Sequence, residues 1–238
     1  MKKYVLLSMV SREKVINKFY QEKILSLFYK YYPNLFPQVA NFCEPINQPI
    51  STVEEALKYW GGEPGLYRRK NTIVGSWYIS TDGYHIFSPT IEYNWNKKID
   101  WFILFKKLID ISKSYFGYVH VFTDQEIEPA AIGSAIGCFL RGTPSGPLKK
   151  NGIPQLAWAN YFGEEYVKEL DLLLIKQHGF EINPLGEGYV FNITDKIEDV
   201  ITNYDHFHAR RQELKSLFRP GLFQNYACYE HESKPIIP

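Results

Sequence analysis

Cysteine, methionine and long apolar runs are all scarce in this chain of 238 residues: three Cys, two Met and no stretch of the length a membrane span requires. Cys43, Cys138 and Cys228 are odd in number and far apart, which excludes a paired disulfide framework and the CxxC spacing of zinc or dithiol sites. Reduced thiols in a cytoplasmic protein are the expectation. A spanning helix needs about 20 consecutive apolar residues. Tyr4–Val10 is a short apolar stretch, Arg12 and Lys14 follow at once, and no small-residue cleavage site appears. That stretch reads as the start of a strand or helix rather than a signal peptide. Charge excess is missing too, because 27 Lys+Arg against 26 Asp+Glu leave a formal net charge of +1. No global field therefore favours direct contact with nucleic acid or an anionic membrane.

Catalytic spacings are equally sparse. The segment GSAIGCFLRGTPSGPLKK, residues 133–150, contains neither GxGxxG nor a P-loop, and its lysines come too late to meet a phosphate. Its glycines suit close helix packing and a turn-rich loop. His206 and His208 invite a metal reading, but at a helix start residues i and i+2 diverge by about 200°. His85, His120, His178 and His231 have no acidic partner at ligand spacing. The pairs Glu54/Glu55 and Glu164/Glu165 fit the first turns of helices, where carboxylates complement the dipole. Ser134, Thr143 and Ser145 have no nucleophile-elbow context. The sequence leads to no metal, no cofactor and no catalytic set; an enzyme using carboxylates with His206 or His208, or a structural adaptor, is the competing reading.

What the chain does have is rings and a lopsided charge distribution. Aromatic residues make up 16%, and Tyr and Trp anchor protein interfaces as readily as they fill cores. Residues 1–70 carry 11 basic and 6 acidic side chains, whereas 160–200 carry nine acidic against three basic. The acidic stretch could form a negative face able to steer a basic partner, with Glu164, Glu165, Glu169, Asp195, Glu198 and Asp199 as its candidate contacts.

Periodicity predicts an α+β fold, a mixed or antiparallel sheet with helices packed against it. A first helix is expected over 12–31, a proline-containing loop over 32–50, and a short helix from Ser51 to Trp60 stopped by Gly61 and Gly62. Ile73–Ile79 and His85–Tyr93 read as a hairpin around Ser80-Thr81-Asp82-Gly83, since Asp-Gly supplies positive φ. The apolar stripe Trp101, Leu104, Phe105, Leu108, Ile111, Tyr115 predicts a helix ended by Gly117, then a strand over Tyr118–Thr123. Beyond it, a short helix at Glu164–Leu170, strands at Asp171–Ile182 and Glu187–Thr194 around Asn183–Gly186, and a helix at His208–Phe218 are expected. One domain of 1–238 is the prior, in which two loosely similar ββα halves, about 51–123 and 158–223, can be drawn before a tail at 224–238.

The segments GIPQLAWANYFGEEYVKEL, GFEINPLGEGYVFNITDKIEDV and HARRQELKSLFRPGLF resemble the C-terminal half of bacterial immunity proteins from polymorphic toxin and type VI secretion systems. The immunity protein 52 family is the first match and the related type VI immunity family the second. Trp158, Tyr161, Phe162, Gly188, Leu214 and Phe218 occupy the matching aromatic, glycine and apolar places, within a resemblance covering about residues 70–223. It implies a non-enzymatic cytoplasmic α+β protein that neutralises a cognate toxin, often a restriction-endonuclease-like nuclease, by stoichiometric binding. Residues 1–50 and the tail lie outside the resemblance, and nothing in it indicates a homo-oligomer.

Overall fold

The structure is a computed structural model and describes residues 3–11, 18–42, 45–59, 65–69, 73–79, 85–93, 98–123, 153 and 155–223. The stretch 133–150 and the turn at 80–83 lie outside these residues, as do Gly61, Gly62, the first residues of the expected first helix and the tail. Ten strands and seven helices are found among the described residues. The strands are β1 Tyr4–Ser11, β2 Val39–Asn41, β3 Gln48–Pro49, β4 Gly65–Arg69, β5 Ile73–Ile79, β6 His85–Glu92, β7 Phe116–Phe122, β8 Ala159–Phe162, β9 Ile182–Leu185 and β10 Gly188–Asn192. The helices are α1 Lys18–Tyr31, α2 Val53–Leu57, α3 Trp101–Ser112, α4 Glu164–Val167, α5 Leu172–Gln177, α6 Asp199–Thr202 and α7 Tyr204–Ser216. The strands form one sheet in the order β3-β2-β4-β5-β6-β1-β7-β8-β10-β9, with every neighbouring pair antiparallel. The α+β expectation is met.

Helices cover both faces, and the register says which. Met9 pairs with Phe87 on one side and Gly117 on the other, and Gly117 pairs with Tyr161, so these four residues share a face. A Cβ placed on Gly117 would lie 2.6 Å from Ile109 Cδ1 and 3.3 Å from Phe105 Cε2, which sets α3 on that face. Phe28 of α1 packs its ring 6.3 Å from that of Phe87, beside it. The opposite face carries Phe116, His120 and Phe162, and it is covered by Tyr166 of α4, Phe207 of α7 and Phe218. β1 lies at the centre, with Val5 through Ser11 all buried.

Local chemistry explains the helix boundaries. α1 buries Gln21, Ile24, Leu25 and Phe28 at one-turn spacing. In α2, Thr52 accepts from the Glu55 N–H while the Glu55 carboxylate accepts from the Thr52 N–H, a reciprocal capping box. Asp100 caps α3 through the Ile103 N–H at 2.9 Å, and Trp101, Leu104, Phe105, Leu108 and Ile109 form its buried stripe.

Several expectations need correction. The helix α3 ends at Ser112, because Lys113 takes a left-handed conformation (φ 48°), and Gly117 lies inside β7. There the missing side chain lets α3 approach the sheet. Asp171–Ile182 is not a strand: Asp171 accepts from the Leu174 N–H at 3.0 Å and starts α5, and only Ile182–Leu185 is extended. The turn between β9 and β10 is Gly186-Glu187, with Gly186 at φ 56°, where a tight hairpin needs glycine. Residues 32–50 hold the short pair β2/β3 rather than loop alone, and β4 and β8 are strands that the periodicity did not mark. α7 begins at Tyr204, not His208.

Candidate functional site

Strand direction decides how far the six candidate carboxylates can act together. Phe162 pairs with Tyr189, and Ala159 pairs with Asn192, so β8 and β10 run in opposite directions. Glu164, Glu165 and Glu169 follow the end of β8, whereas Asp195, Glu198 and Asp199 follow the end of β10. At about 3.3 Å per strand residue, the two groups stand at opposite ends of a ladder at least ~10 Å long.

Glu169 and Glu198 are also committed internally. Glu169 is ion-paired with Arg219, tying α4 to the segment after α7. Glu198 accepts a 2.9 Å hydrogen bond from the Tyr93 hydroxyl, which joins the end of β6 to the start of α6. Burial, and then the hydrogen bond to Glu198, hold the Tyr93 hydroxyl well above the ordinary tyrosine range, so it remains a donor. Glu164 and Asp195 are exposed and Asp199 is half-buried, and none of their side chains has a partner among the described residues.

Asp195 and Asp199 share a cleft of about 320 Å³ with Glu181, Lys196, His206 and Arg210, backed by Phe180 and Ile193. Arg210 lies across the Phe180 ring at 3.8 Å from its centroid and donates 2.5 Å to Glu213. Glu213 also meets His178 Nδ1 at 3.0 Å, while Arg210 reaches the carbonyls of His178 and Gly179. The hydrogen bond from His178, then that from Arg210, holds the Glu213 carboxyl below the usual carboxylate range. This latch fastens α7 to the end of α5.

The two histidines singled out by sequence diverge as expected. His206 lines the cleft, whereas His208 Nδ1 lies 3.2 Å from Arg211 Nη2 and its Nε2 lies 3.4 Å from Gln212. Arg211 is buried, with its guanidinium 4.9 Å from the Phe207 ring centroid. No group of three or more His, Cys, Asp or Glu side chains arranged to hold a metal occurs among the described residues.

All six residues carrying the family resemblance belong to the core. Trp158 is buried; its indole N–H donates 2.8 Å to the Thr194 carbonyl and its backbone N–H donates 3.0 Å to His120 Nδ1. Accepting there leaves Nε2 as the nitrogen that carries the His120 proton. Phe162 packs against Phe116, Tyr166, Phe191 and Phe218 at centroid distances of 5.1–5.9 Å. Tyr161 and Leu214 are buried as well. A Cβ on Gly188 would lie 2.2 Å from the Phe162 carbonyl oxygen, so this position admits only glycine without backbone movement. The residues that sequence reasoning missed are Tyr93, Arg210 and Glu213, whose partners are distant in the chain or lie across a helix boundary it misplaced.

No protein-family model matches this chain. No curated protein matches it in sequence. Among solved structures, the Pseudomonas aeruginosa T6SS protein PA0821 is similar with a TM-score of 0.57 and 12% sequence identity, over 80% of this chain and 65% of that one. The chain thus spans just under two thirds of that protein's length. What the chain shares with this type VI secretion protein is its fold.

Proposed function

We propose that this chain is an immunity protein of a type VI or related polymorphic toxin system, akin to the immunity protein 52 family. It acts in the cytoplasm of the producing cell by stoichiometric binding to a cognate toxin, a nuclease in the leading version of the reading. The observation that carries this is the fold shared with a type VI secretion protein. The resemblance of about residues 70–223 to immunity proteins, stronger after 150, supports it, and the matching positions form one core that holds β8, β10 and α7 together. Glu164, Glu165, Asp195 and Asp199 are the candidate contacts for a basic toxin surface.

Co-expression with the toxin encoded beside it is the test. Cells should survive, and the purified pair should form a complex of fixed stoichiometry on light scattering. Death of the cells together with absence of a complex would reject the reading. The cleft gives the enzyme alternative one specific support, since His206 stands with Asp195 and Asp199 there. His206→Ala separates the two when protection and binding are measured together: an inhibitor loses protection only if the complex is lost as well, whereas an enzyme acting through that imidazole loses protection with binding intact.

A further inference from the structure

The outward side of α1 is a row of lysines and rings. Lys18, Phe19, Glu22, Lys23, Ser26, Tyr29, Lys30 and Tyr31 are all exposed, while Gln21, Ile24, Leu25 and Phe28 hold the other side against the core. Phe19, Tyr29 and Tyr31 are 54%, 53% and 58% exposed, high values for large rings. The lysines are set on those rings. Lys23 Nζ lies 4.0 Å from the Phe19 centroid, Lys30 Nζ 5.1 Å from that of Tyr31, and Lys107 of α3 lies 5.2 Å from Tyr31 and 5.9 Å from Tyr32. An ammonium resting on a ring face loses part of its rotamer freedom before any partner arrives, so less is lost when it pairs with a carboxylate.

We propose that this face of α1, completed by Lys107, is a docking surface for an acidic protein surface, and that in the immunity reading this surface belongs to the toxin. Charge complementarity selects the occupant. Four exposed lysines, Lys18, Lys23, Lys30 and Lys107, outnumber the two carboxylates of this region, Glu22 on α1 and Asp100 near Tyr32. A protein fits better than a phosphate backbone. Among the described residues the face carries no arginine, whose planar fork matches phosphate, and Glu22 sits between Lys18 and Lys23 where a continuous anionic track would have to pass. Exposed Tyr and Phe beside the charges supply the buried anchors that protein interfaces use. The proposal rests on the immunity reading only for the identity of the partner. It adds a positive contact surface to the carboxylates at the other side of the charge distribution.

The experiment uses the full chain and three variants: Lys23→Glu/Lys30→Glu/Lys107→Glu, Tyr29→Ala/Tyr31→Ala, and Glu164→Lys/Asp195→Lys/Asp199→Lys. Far-UV circular dichroism and melting temperature establish that each is folded. Association with the neighbouring toxin is followed by biolayer interferometry at several salt concentrations. The lysine reversal should slow association at least ~10-fold at low salt and flatten its salt dependence, while the tyrosine variant should mainly speed dissociation. Parent-like rates in both would overturn the proposal. If the parent chain itself neither binds nor protects, the immunity reading fails, and a second arm then decides the surface alone. It measures binding of fluorescent poly-glutamate, oligo-dT and anionic vesicles to parent and lysine variant. Poly-glutamate binding that the lysine reversal abolishes supports an acidic polypeptide; preference for oligo-dT or vesicles, or no difference between proteins, overturns it.

Discussion

Trp158 concentrates three kinds of restraint in one residue, two of them through its side chain. Its ring packs edge-on against Phe102 at 6.2 Å, its indole N–H meets Thr194, and its backbone N–H meets the buried His120. Trp158→Ala should therefore cost about 3–5 kcal/mol, the range for deleting a large buried ring. Trp158→Phe keeps most of the packing and removes one of the two donors to the Thr194 carbonyl, which still accepts from the Asn192 side-chain amide, for about 1 kcal/mol. Urea denaturation of the three proteins measures both. A Trp158→Ala chain as stable as the parent would mean that the indole is not part of the core. The aromatic run that includes Trp158 and the carboxylates that follow it have different roles: Trp158, Tyr161 and Phe162 pin β8 between β7 and β10, and Glu164 projects beyond the strand end.

At the scale of elements, the pH response belongs to the latch between α5 and α7. Glu213 is held below its ordinary value of 4.5 by His178 and then Arg210. A folded-state value lower than the unfolded one contributes stability that is complete above the unfolded value and fades as pH falls through the folded one. The His178 and Glu213 side chains are 41% and 37% exposed, so solvent screening keeps the effect small. Melting curves of parent and Glu213→Gln should accordingly differ at pH 7 and converge as the pH drops below 4.5. A gap that stays constant down to pH 3 would show that the carboxylate contributes nothing through its charge. The latch also marks what the sequence could reveal. The β5/β6 hairpin was legible because Asp-Gly separates two runs of strand-forming residues, and α1 and α3 because their apolar spacing follows one turn. Leu172-Leu173-Leu174-Ile175 was misread because a short apolar run fits a buried strand as well as a helix; the Asp171 cap decides it, through a bond visible only in three dimensions. Arg210 and Glu213 have no sequence signal for a similar reason, since their shared partner His178 is distant in the chain. The candidate carboxylates were legible as residues, but not the pairing of Glu169 with Arg219 or of Glu198 with Tyr93, whose partners stand 50 and 105 residues away.

For the molecule as a whole, the single sheet has a consequence that two ββα halves would not share. Hairpin followed by helix does occur twice, as β5, β6, α3 and as β9, β10, α6, α7, but α3 and α7 lie on opposite faces of the same sheet. The two regions meet through the β7/β8 ladder, where Phe116, Gly117, Tyr118 and Val119 pair with Phe162, Tyr161, Asn160 and Ala159. The Tyr93–Glu198 bond ties them again at another place. Phe116 stacks on Phe162 at 5.8 Å across that ladder, so the aromatic core is continuous through the junction. Neither half can separate without exposing an edge strand with unpaired backbone groups and a row of rings. Chains beyond about 150 residues often unfold in stages, but a shared sheet and core couple the halves. Urea unfolding should therefore be one transition, with coincident midpoints by tryptophan fluorescence and far-UV circular dichroism. Hydrogen exchange supplies the sharper measurement. The amides of β7 and β8 should exchange together at the slowest rate, since their opening requires disruption of both halves. Early exchange confined to β8–β10 and α7, with β1 and β7 still protected, would instead establish the C-terminal region as an independent folding unit.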